Sequence, residues 1–250
     1  MRLFGLIGYP LSHSFSKKYF TEKFEKEGLR DCTYENFPIP IIDDLKKVLA
    51  LPGLQGLNVT IPYKEQVIPF LHQSSDIVKK INACNCIKIA DGKLYGFNTD
   101  VAGFENSLKG KLNPAIHQQA LILGTGGSSK AVKYVLEKMG IKFKMVSRKP
   151  SAGRLSYEQI NKEIIHTHRL LINTTPLGMF PNVIEAPPLP YQFLTREHFL
   201  FDLIYNPEKT LFLKKGEEQG ASIQNGYEML VLQSDENWKI WNKESSVMDR

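Results

Sequence analysis

The chain has 250 residues, of which 42% are hydrophobic and 23% charged, so it can form one large globular domain or two modest ones. No apolar run approaches the roughly 20 residues that cross a bilayer, so we expect a cytoplasmic protein without membrane contact. The net charge of +6 favours anionic partners, yet no basic block or nucleic-acid motif accompanies it, and we expect no nucleic-acid partner.

Strand-like and helix-like runs alternate over the first hundred residues, which predicts an α/β unit. Asp91-Gly92 between two alternating runs is a hairpin signal, so an antiparallel pair is expected at the sheet edge. Pro62 suits the first turn of a helix, where its missing N–H is not needed. The predicted elements are strand Arg2–Tyr9, helix Lys17–Glu27, strand Thr33–Phe37, a helix from Asp43 or Asp44 to Leu51, strand Leu54–Ile61, a helix from Pro62, and hairpin strands Cys84–Ala90 and Lys93–Phe97.

The three cysteines do not suggest a disulfide framework in a chain of this length. Cys84 and Cys86 are two apart and could ligate a metal, but no second Cys or His pair stands nearby to complete a site. Alternating residues of one strand are the favoured interpretation, and we expect no metal.

A second α/β unit, of the doubly wound type, begins near Ala120. The segment Arg148–Arg169 is short for such a unit, so one helix is reduced or missing. The predicted elements are strand Ala120–Leu123, helix Ser129–Met139, strands Phe143–Ser147, Leu170–Thr174 and Phe199–Tyr205, helix Glu208–Gln219, strand Ala221–Gln224 and helix Tyr227–Asn242.

A glycine-rich string, residues 124–129 (GTGGSS), lies between a predicted strand and a predicted helix. Backbone N–H groups in such a turn approach a pyrophosphate closely, although Ser129 takes the third glycine position and a simple glycine-rich turn is the alternative. The next predicted strand ends in Ser147-Arg148-Lys149, without a carboxylate to hold a ribose hydroxyl. Arg148 there favours a 2′-phosphate and hence NADP; a solvated surface arginine is the alternative.

Six strings, in order over nearly the whole chain, resemble the shikimate dehydrogenase family. Two departures accompany them: Cys86 stands where the family usually has threonine, and residues 147–149 replace its usual Asn-Arg-Thr. The strings are Gly8–Ser16 (GYPLSHSFS), Asn58–Lys64 (NVTIPYK), Asn82–Cys86 (NACNC), Gly96–Asp100 (GFNTD), Asn173–Met179 (NTTPLGM) and Asn225–Leu230 (NGYEML).

The resemblance implies an N-terminal mixed α/β substrate domain (1–103 plus 226–250) and a doubly wound Rossmann-type NADP domain (104–225), with a cleft between them. It also implies NADP-dependent reversible reduction of 3-dehydroshikimate to shikimate, a step of aromatic amino-acid biosynthesis through chorismate. The expected partner is this small-molecule substrate, and the chain is expected to be a monomer or homodimer. Alternatives are a quinate/shikimate dehydrogenase using NAD and a non-catalytic NADP-binding regulator on the same fold.

Lys64 and Asp100 are the two residues to which the resemblance assigns catalysis. Lys64 falls in the first turn of a predicted helix, where the helix dipole disfavours a cation, so local helix stability does not explain it. A lone lysine is ordinarily solvated, and an aspartate before a helix is ordinarily a cap. In the family pattern the lysine transfers the proton, while the aspartate orients it and holds a ring hydroxyl.

The resemblance also implies the binding residues. Ser14 and Ser16 would hold the substrate carboxylate, although helix capping is the alternative for both. Ring contacts would come from Thr60, Asn85, Tyr205 and Gln233, and cofactor contacts from Gly124, Gly126, Gly127, Ser128, Arg148, Thr174, Leu203 and Gly226.

Overall fold

The computed structural model describes residues 1–11, 15–149 and 153–243, so Ser14 lies outside the described residues. The chain divides into two compact units. One contains Met1–Ala102 together with the residues from Gln233 onward, and the other contains Gly103–Leu232. The sequence placed the domain boundaries after residues 103 and 225; the second division of the structure falls inside the last helix instead.

The first unit is built on a six-stranded mixed sheet. Asp91 and Gly92 both have positive φ values, 51° and 68°, as a two-residue hairpin turn requires. The strand order β2-β1-β3-β5-β6-β4 and the antiparallel pairing of β5 with β3 and β6 confirm the predicted mixed sheet with its hairpin. The strands are β1 (Arg2–Gly8), β2 (Cys32–Pro38), β3 (Leu54–Val59), β4 (Gln73–Ser74), β5 (Cys86–Ala90) and β6 (Lys93–Phe97).

Aromatic packing attaches the C-terminal helix, α8 (Tyr227–Asn242), to this sheet. The Trp241 ring stacks on Phe4 at 4.9 Å between centroids, and its Nε1 donates to the Ile87 carbonyl at 3.0 Å. A Cβ on Gly56 would lie 2.4 Å from that nitrogen, so only glycine admits the indole here. The other helices of this part of the chain are α1 (Phe15–Glu27), α2 (Leu45–Leu49), α3 (Asp76–Ile81) and α4 (Asp100–Leu108), of which α4 continues into the second unit.

The prediction of a helix that begins at Pro62 is wrong. Residues 61–67 form consecutive turns, and a short 3₁₀ helix, Ile68–Phe70, follows them. The Val67 N–H donates to the Tyr63 carbonyl, four residues back, at 2.9 Å. The Ile68 N–H instead donates to the Glu65 carbonyl, three residues back, at 3.2 Å. Pro69 contributes to the difference, because it has no N–H to donate to the carbonyl four residues back, so the turns cannot continue into a longer α-helix. The dipole argument therefore does not apply to Lys64.

All three cysteines lie in the first unit and are buried free thiols. Cys84 comes just before β5, and its Sγ donates to the Cys86 carbonyl at 3.4 Å. Burial raises the pKa of Cys84 to about 12 and that of Cys86 well above its usual value. Burial also raises the pKa of Cys32.

The second unit has a six-stranded parallel sheet of order β12-β11-β10-β7-β8-β9, which confirms the predicted doubly wound type. The segment after β8 holds a six-residue helix, so the expected helix is present but reduced. Over the described ranges, no helix is long and apolar enough to cross a membrane. The elements are β7 (Gln119–Leu123), α5 (Gly127–Lys138), β8 (Lys142–Ser147), β9 (Arg154–Ser156), α6 (Lys162–Thr167), β10 (Leu170–Asn173), β11 (Phe199–Asp202), α7 (Leu211–Glu218) and β12 (Ser222–Gln224).

Candidate active site

Lys64 and Asp100 form an ion pair in the first unit. Lys64 lies in the turns that follow β3, and Asp100 is the first residue of α4, directly after the hairpin. Lys64 Nζ is 2.7 Å from Asp100 Oδ2, and the two side chains are only 13% and 12% exposed. Because the two charges are largely shielded from water, removing either partner would leave the other buried and unpaired.

Asn85 fixes the other oxygen of the aspartate. Its Nδ2 donates to Asp100 Oδ1 at 2.9 Å and to Thr99 Oγ1 at 3.0 Å, and its Oδ1 accepts from the Thr99 backbone N–H at 2.7 Å. Asn85 is 3% exposed, and both ends of its amide are engaged within the protein. The structure therefore places this predicted substrate contact beside Asp100, where it orients the carboxylate.

The hydrogen-bond network continues from Thr99 into α8. Thr99 Oγ1 donates to Asn237 Oδ1 at 2.7 Å, and Asn237 Nδ2 donates to Gln233 Oε1 at 3.1 Å. Gln233, predicted as a substrate contact, thus belongs to the same buried cluster as Lys64 and Asp100. Asn237 was missed in the sequence. The available signal was its spacing of four residues from Gln233, which puts both on one helix face.

Ser16 is the second residue of α1 and is hydrogen-bonded to the Tyr34 hydroxyl. That hydroxyl donates to Asn58 Oδ1 at 2.7 Å. Burial raises the pKa of Tyr34 well above its usual value near 10, so the phenol stays protonated and remains a donor. Thr60 follows β3 and is half-buried, with its backbone N–H donating to the Ile7 carbonyl at 3.0 Å.

The glycine-rich turn of the second unit fits a pyrophosphate. Gly124 has φ +106°, and a Cβ there would lie 2.7 Å from Thr174 Oγ1, which brings these two predicted cofactor contacts together. A Cβ on Gly126 would meet no atom within 4 Å, and no side chain caps α5, which begins at Gly127 and Ser128. Open space over an uncapped helix N-terminus is what an anionic phosphate requires.

Ser129 shows why the third glycine of the fingerprint is dispensable here. Its side chain is 2% exposed, and its hydroxyl donates to the Gly126 carbonyl at 2.6 Å, so it turns inward. Arg148 directly follows β8 and is exposed. This is the position at which a dinucleotide fold reads the adenosine ribose.

Leu203 and Gly226 are also in contact, within the second unit. A Cβ on Gly226 would lie 2.1 Å from the Leu203 carbonyl oxygen, and the Gly226 N–H donates to the Ile204 carbonyl at 2.9 Å. Tyr205 is half-buried in the same loop. Leu203 and Gly226, two predicted cofactor contacts, therefore lie in neighbouring loops, and Tyr205, a predicted substrate contact, lies in the loop that contains Leu203.

A buried aspartate holds this loop. Asp202 is fully buried and accepts from Thr210 Oγ1 at 2.6 Å, from Asn173 Nδ2 at 3.0 Å and from the Ile204 N–H at 3.0 Å. Burial, only partly offset by these hydrogen bonds, raises the pKa of Asp202 to about 7. Asp202 thus ties the end of β11 to the strand end that carries Thr174.

Comparison with known proteins identifies the family of the chain. Residues 6–87 match the family model described as the shikimate dehydrogenase substrate binding domain. The shikimate dehydrogenase (NADP(+)) of Clostridium beijerinckii is 38% identical over 255 residues, which cover 97% of this chain and 93% of that protein. The shikimate dehydrogenase structure from Aquifex aeolicus superposes with a TM-score of 0.86 at 34% identity, covering 97% and 92% of the two chains.

A third similar protein is the shikimate 5-dehydrogenase of Thermus thermophilus in complex with NADP(H) and shikimate. Its TM-score is 0.83 at 30% identity, and the match covers 97% of this chain and 94% of that one. Identities of 30% to 38% over almost the full length of both sequences show that the chain belongs to the shikimate dehydrogenase family.

Proposed function

We propose that the chain catalyses the NADP-dependent, reversible reduction of 3-dehydroshikimate to shikimate, the step that serves aromatic amino-acid biosynthesis through chorismate. The observation that carries the proposal is the Lys64–Asp100 ion pair. Its two members come from segments 36 residues apart, yet they lie 2.7 Å from each other in a largely water-excluded position. An ammonium held beside a carboxylate in this way can give a proton to a developing alkoxide and take it back.

Each member of the pair has a distinct part in this chemistry. Lys64 donates a proton to the C3 oxygen as the ketone is reduced and removes it in the reverse direction. Its positive charge also stabilises the negative charge that develops on that oxygen. Asp100 keeps the ammonium in place and accepts a hydrogen bond from a ring hydroxyl. Asn85 keeps the carboxylate in one orientation.

The remaining substrate contacts fix the ring. Ser16, supported by Tyr34, would hold the substrate carboxylate together with Ser14. Thr60, Tyr205 and Gln233 would bind the ring. Polar partners arranged around one small acid orient its ketone carbon toward the hydride donor.

NADPH, when bound, supplies the hydride to the C3 carbon. The turn that contains Gly124, Gly126, Gly127 and Ser128 would hold the pyrophosphate, and Arg148 would hold the 2′-phosphate. Thr174, Leu203 and Gly226 would line the remainder of the cofactor site. The open space at the Cβ position of Gly126 supports this assignment, because it leaves the backbone of the turn accessible to a ligand.

Steady-state oxidation of shikimate with NADP, followed by the absorbance of the reduced nicotinamide, tests the proposal. Quinate and NAD are the comparison substrate and cofactor. We expect the ratio kcat/KM to be highest for shikimate with NADP. Comparable rates on quinate with NAD would support the quinate/shikimate dehydrogenase instead, and no oxidation of either acid would support a non-catalytic regulator.

The cellular location and assembly belong to the same proposal. We place the chain in the cytoplasm, because three buried thiols that form no disulfide suit a reducing compartment. The complete Lys64–Asp100–Asn85 cluster comes from a single chain, which is compatible with an active monomer as well as a homodimer.

A further inference from the structure

In the buried polar network formed by Asp100, Asn85, Thr99, Asn237 and Gln233, hydrogen-bond donation runs in one direction. Asn85 uses its two amide hydrogens for Asp100 Oδ1 and Thr99 Oγ1. Thr99 has only one hydroxyl hydrogen, and its nearest acceptor is Asn237 Oδ1 at 2.7 Å, closer than Asn85 Oδ1 at 3.2 Å or Gln233 Oε1 at 3.4 Å. Donation therefore runs from Asn85 through Thr99 to the carbonyl of Asn237.

This direction determines which end of Gln233 a ligand meets. Because the Asn237 carbonyl accepts from Thr99, its amide nitrogen is the end that faces Gln233, and it donates to Gln233 Oε1 at 3.1 Å. The Gln233 carbonyl is thereby engaged inside the protein. Its Nε2, which donates to Ser234 Oγ at 2.8 Å, is the end that carries the amide hydrogens.

We propose that Asn237 is a positioning residue for the substrate: it sets the orientation of the Gln233 amide so that Gln233 presents a donor to the shikimate ring. The proposal rests on the function proposed above. Asn237 is 0% exposed, so it acts through Gln233 and does not touch the substrate itself. Asn85 makes its own hydrogen bonds to Asp100 Oδ1 and to the Thr99 backbone N–H, so we expect the effect of Asn237 on substrate binding and not on proton transfer.

The test is Asn237→Asp, with Asn237→Leu as a second variant of similar size. Leucine cannot donate to Gln233 Oε1, and neither can an ionised aspartate, so the Gln233 amide loses its fixed orientation. We expect the KM for shikimate to rise about tenfold, the effect of one hydrogen bond to the ring, while kcat stays within about threefold. The KM for NADP is expected to be unchanged. Thermal denaturation shows which variants fold.

Asn242→Asp is the matched control, because Asn242 lies on the same helix but is exposed. It introduces the same charge without entering the network, so we expect wild-type kinetics. If the variants at Asn237 lower kcat and raise both KM values together, or leave the KM for shikimate unchanged, the positioning role is wrong.

A double-variant cycle with Gln233→Ala separates positioning from general support of the fold. If Asn237 acts through Gln233, adding Asn237→Leu to Gln233→Ala raises the KM for shikimate no further, whereas independent effects multiply. Multiplying effects would overturn the inference. An inactive wild-type chain would contradict the proposed function itself, and with it any substrate role of Gln233, so the two failures are distinguishable.

Discussion

At the scale of single residues, Asp100 divides its two carboxylate oxygens between two partners. One oxygen holds the Lys64 ammonium and the other accepts from Asn85. A carboxylate held at both oxygens cannot rotate without losing a buried hydrogen bond, so the ammonium beside it has one preferred place. The proton donor is thus oriented before any substrate binds.

Lys64→Ala tests this residue directly. Removing the only ammonium of the pair is expected to lower kcat by about 10²–10⁴, the usual contribution of a general acid, while the affinity for NADP is retained. Turnover comes from the shikimate assay and cofactor affinity from fluorescence titration. Lys79→Ala is the control, because Lys79 is an exposed lysine of the same unit. Unchanged turnover in Lys64→Ala would refute its role.

Arg148→Gln tests the choice between the two nicotinamide cofactors. Loss of a charge-assisted hydrogen bond to the 2′-phosphate is expected to raise the KM for NADP about 10- to 100-fold and to leave the KM for NAD unchanged. Lys142→Gln, an exposed substitution at the start of the same strand, controls for the loss of net charge. An equal change for both cofactors would show that Arg148 does not read the phosphate.

At the scale of elements, the turn between β7 and α5 contains two glycines that are needed for different reasons. Gly124 has a positive φ and packs against Thr174, so the fold itself requires it. Gly126 has an ordinary φ of −79° and open space at its Cβ position, so the fold alone does not. Only a ligand over the turn would require a glycine at the second position.

Alanine substitutions at the two glycines therefore have opposite signatures. Gly124→Ala is expected to lower the free energy of unfolding by about 1–3 kcal/mol, because of backbone strain and the clash with Thr174. Gly126→Ala is expected to leave that free energy unchanged and to weaken NADP binding. Denaturant unfolding and cofactor titration of both variants measure this. A destabilised Gly126→Ala variant that binds NADP normally would contradict the assignment.

Elements with local signals were predictable from the sequence, and elements set by context were not. The hairpin turn at Asp91-Gly92 has positive φ at both positions, and Asp followed by Gly is a residue pair that favours such a turn. The turns around Lys64 were misassigned as a helix, because Pro62 is a good first residue, whereas Pro69, seven residues on, lacks the N–H that a longer helix would need. The short helix α3 was missed, although Ser75 caps it by accepting from the Val78 N–H at 3.4 Å.

The candidate site shows the same division. Lys64 and Asp100 were identified through family strings, but their pairing depends on the sheet that brings the two segments together. Asn237 carries no such string, and a polar residue on a helix is normally a surface residue. Its burial follows from the packing of Trp241 on the sheet, which turns that face of α8 inward.

At the scale of the whole molecule, a buried acid links stability to pH. The pKa of Asp202 rises from its ordinary value of 3.8 to about 7 in the folded chain, chiefly because of burial. Between those values the folded state binds more protons than the unfolded state, so this group makes stability fall as the pH rises from about 4 to about 7. Burial lowers the pKa of three histidines, His117, His168 and His198, which act in the opposite sense.

Asp202→Asn isolates the contribution of the acid, since the amide retains an oxygen for Asn173 and Ile204 and carries no charge. Relative to the variant, the wild-type chain is expected to lose about 2 kcal/mol of stability between pH 5 and pH 8. Urea unfolding of both proteins at the two pH values gives the difference, in which the histidine contributions cancel. A difference that does not change with pH would show that Asp202 is ionised throughout this range.

The confinement of every thiol to one half of the molecule provides a reporter of substrate occupancy that needs no turnover. Alkylating reagents attack the thiolate, and burial suppresses both access and ionisation at Cys32, Cys84 and Cys86, so labelling requires that half to open. Bound shikimate stabilises the folded form of this unit, and the stabilisation grows with the ratio of the shikimate concentration to its Kd. Shikimate is therefore expected to slow iodoacetamide labelling in a saturable way, and labelling indifferent to shikimate would place its binding elsewhere.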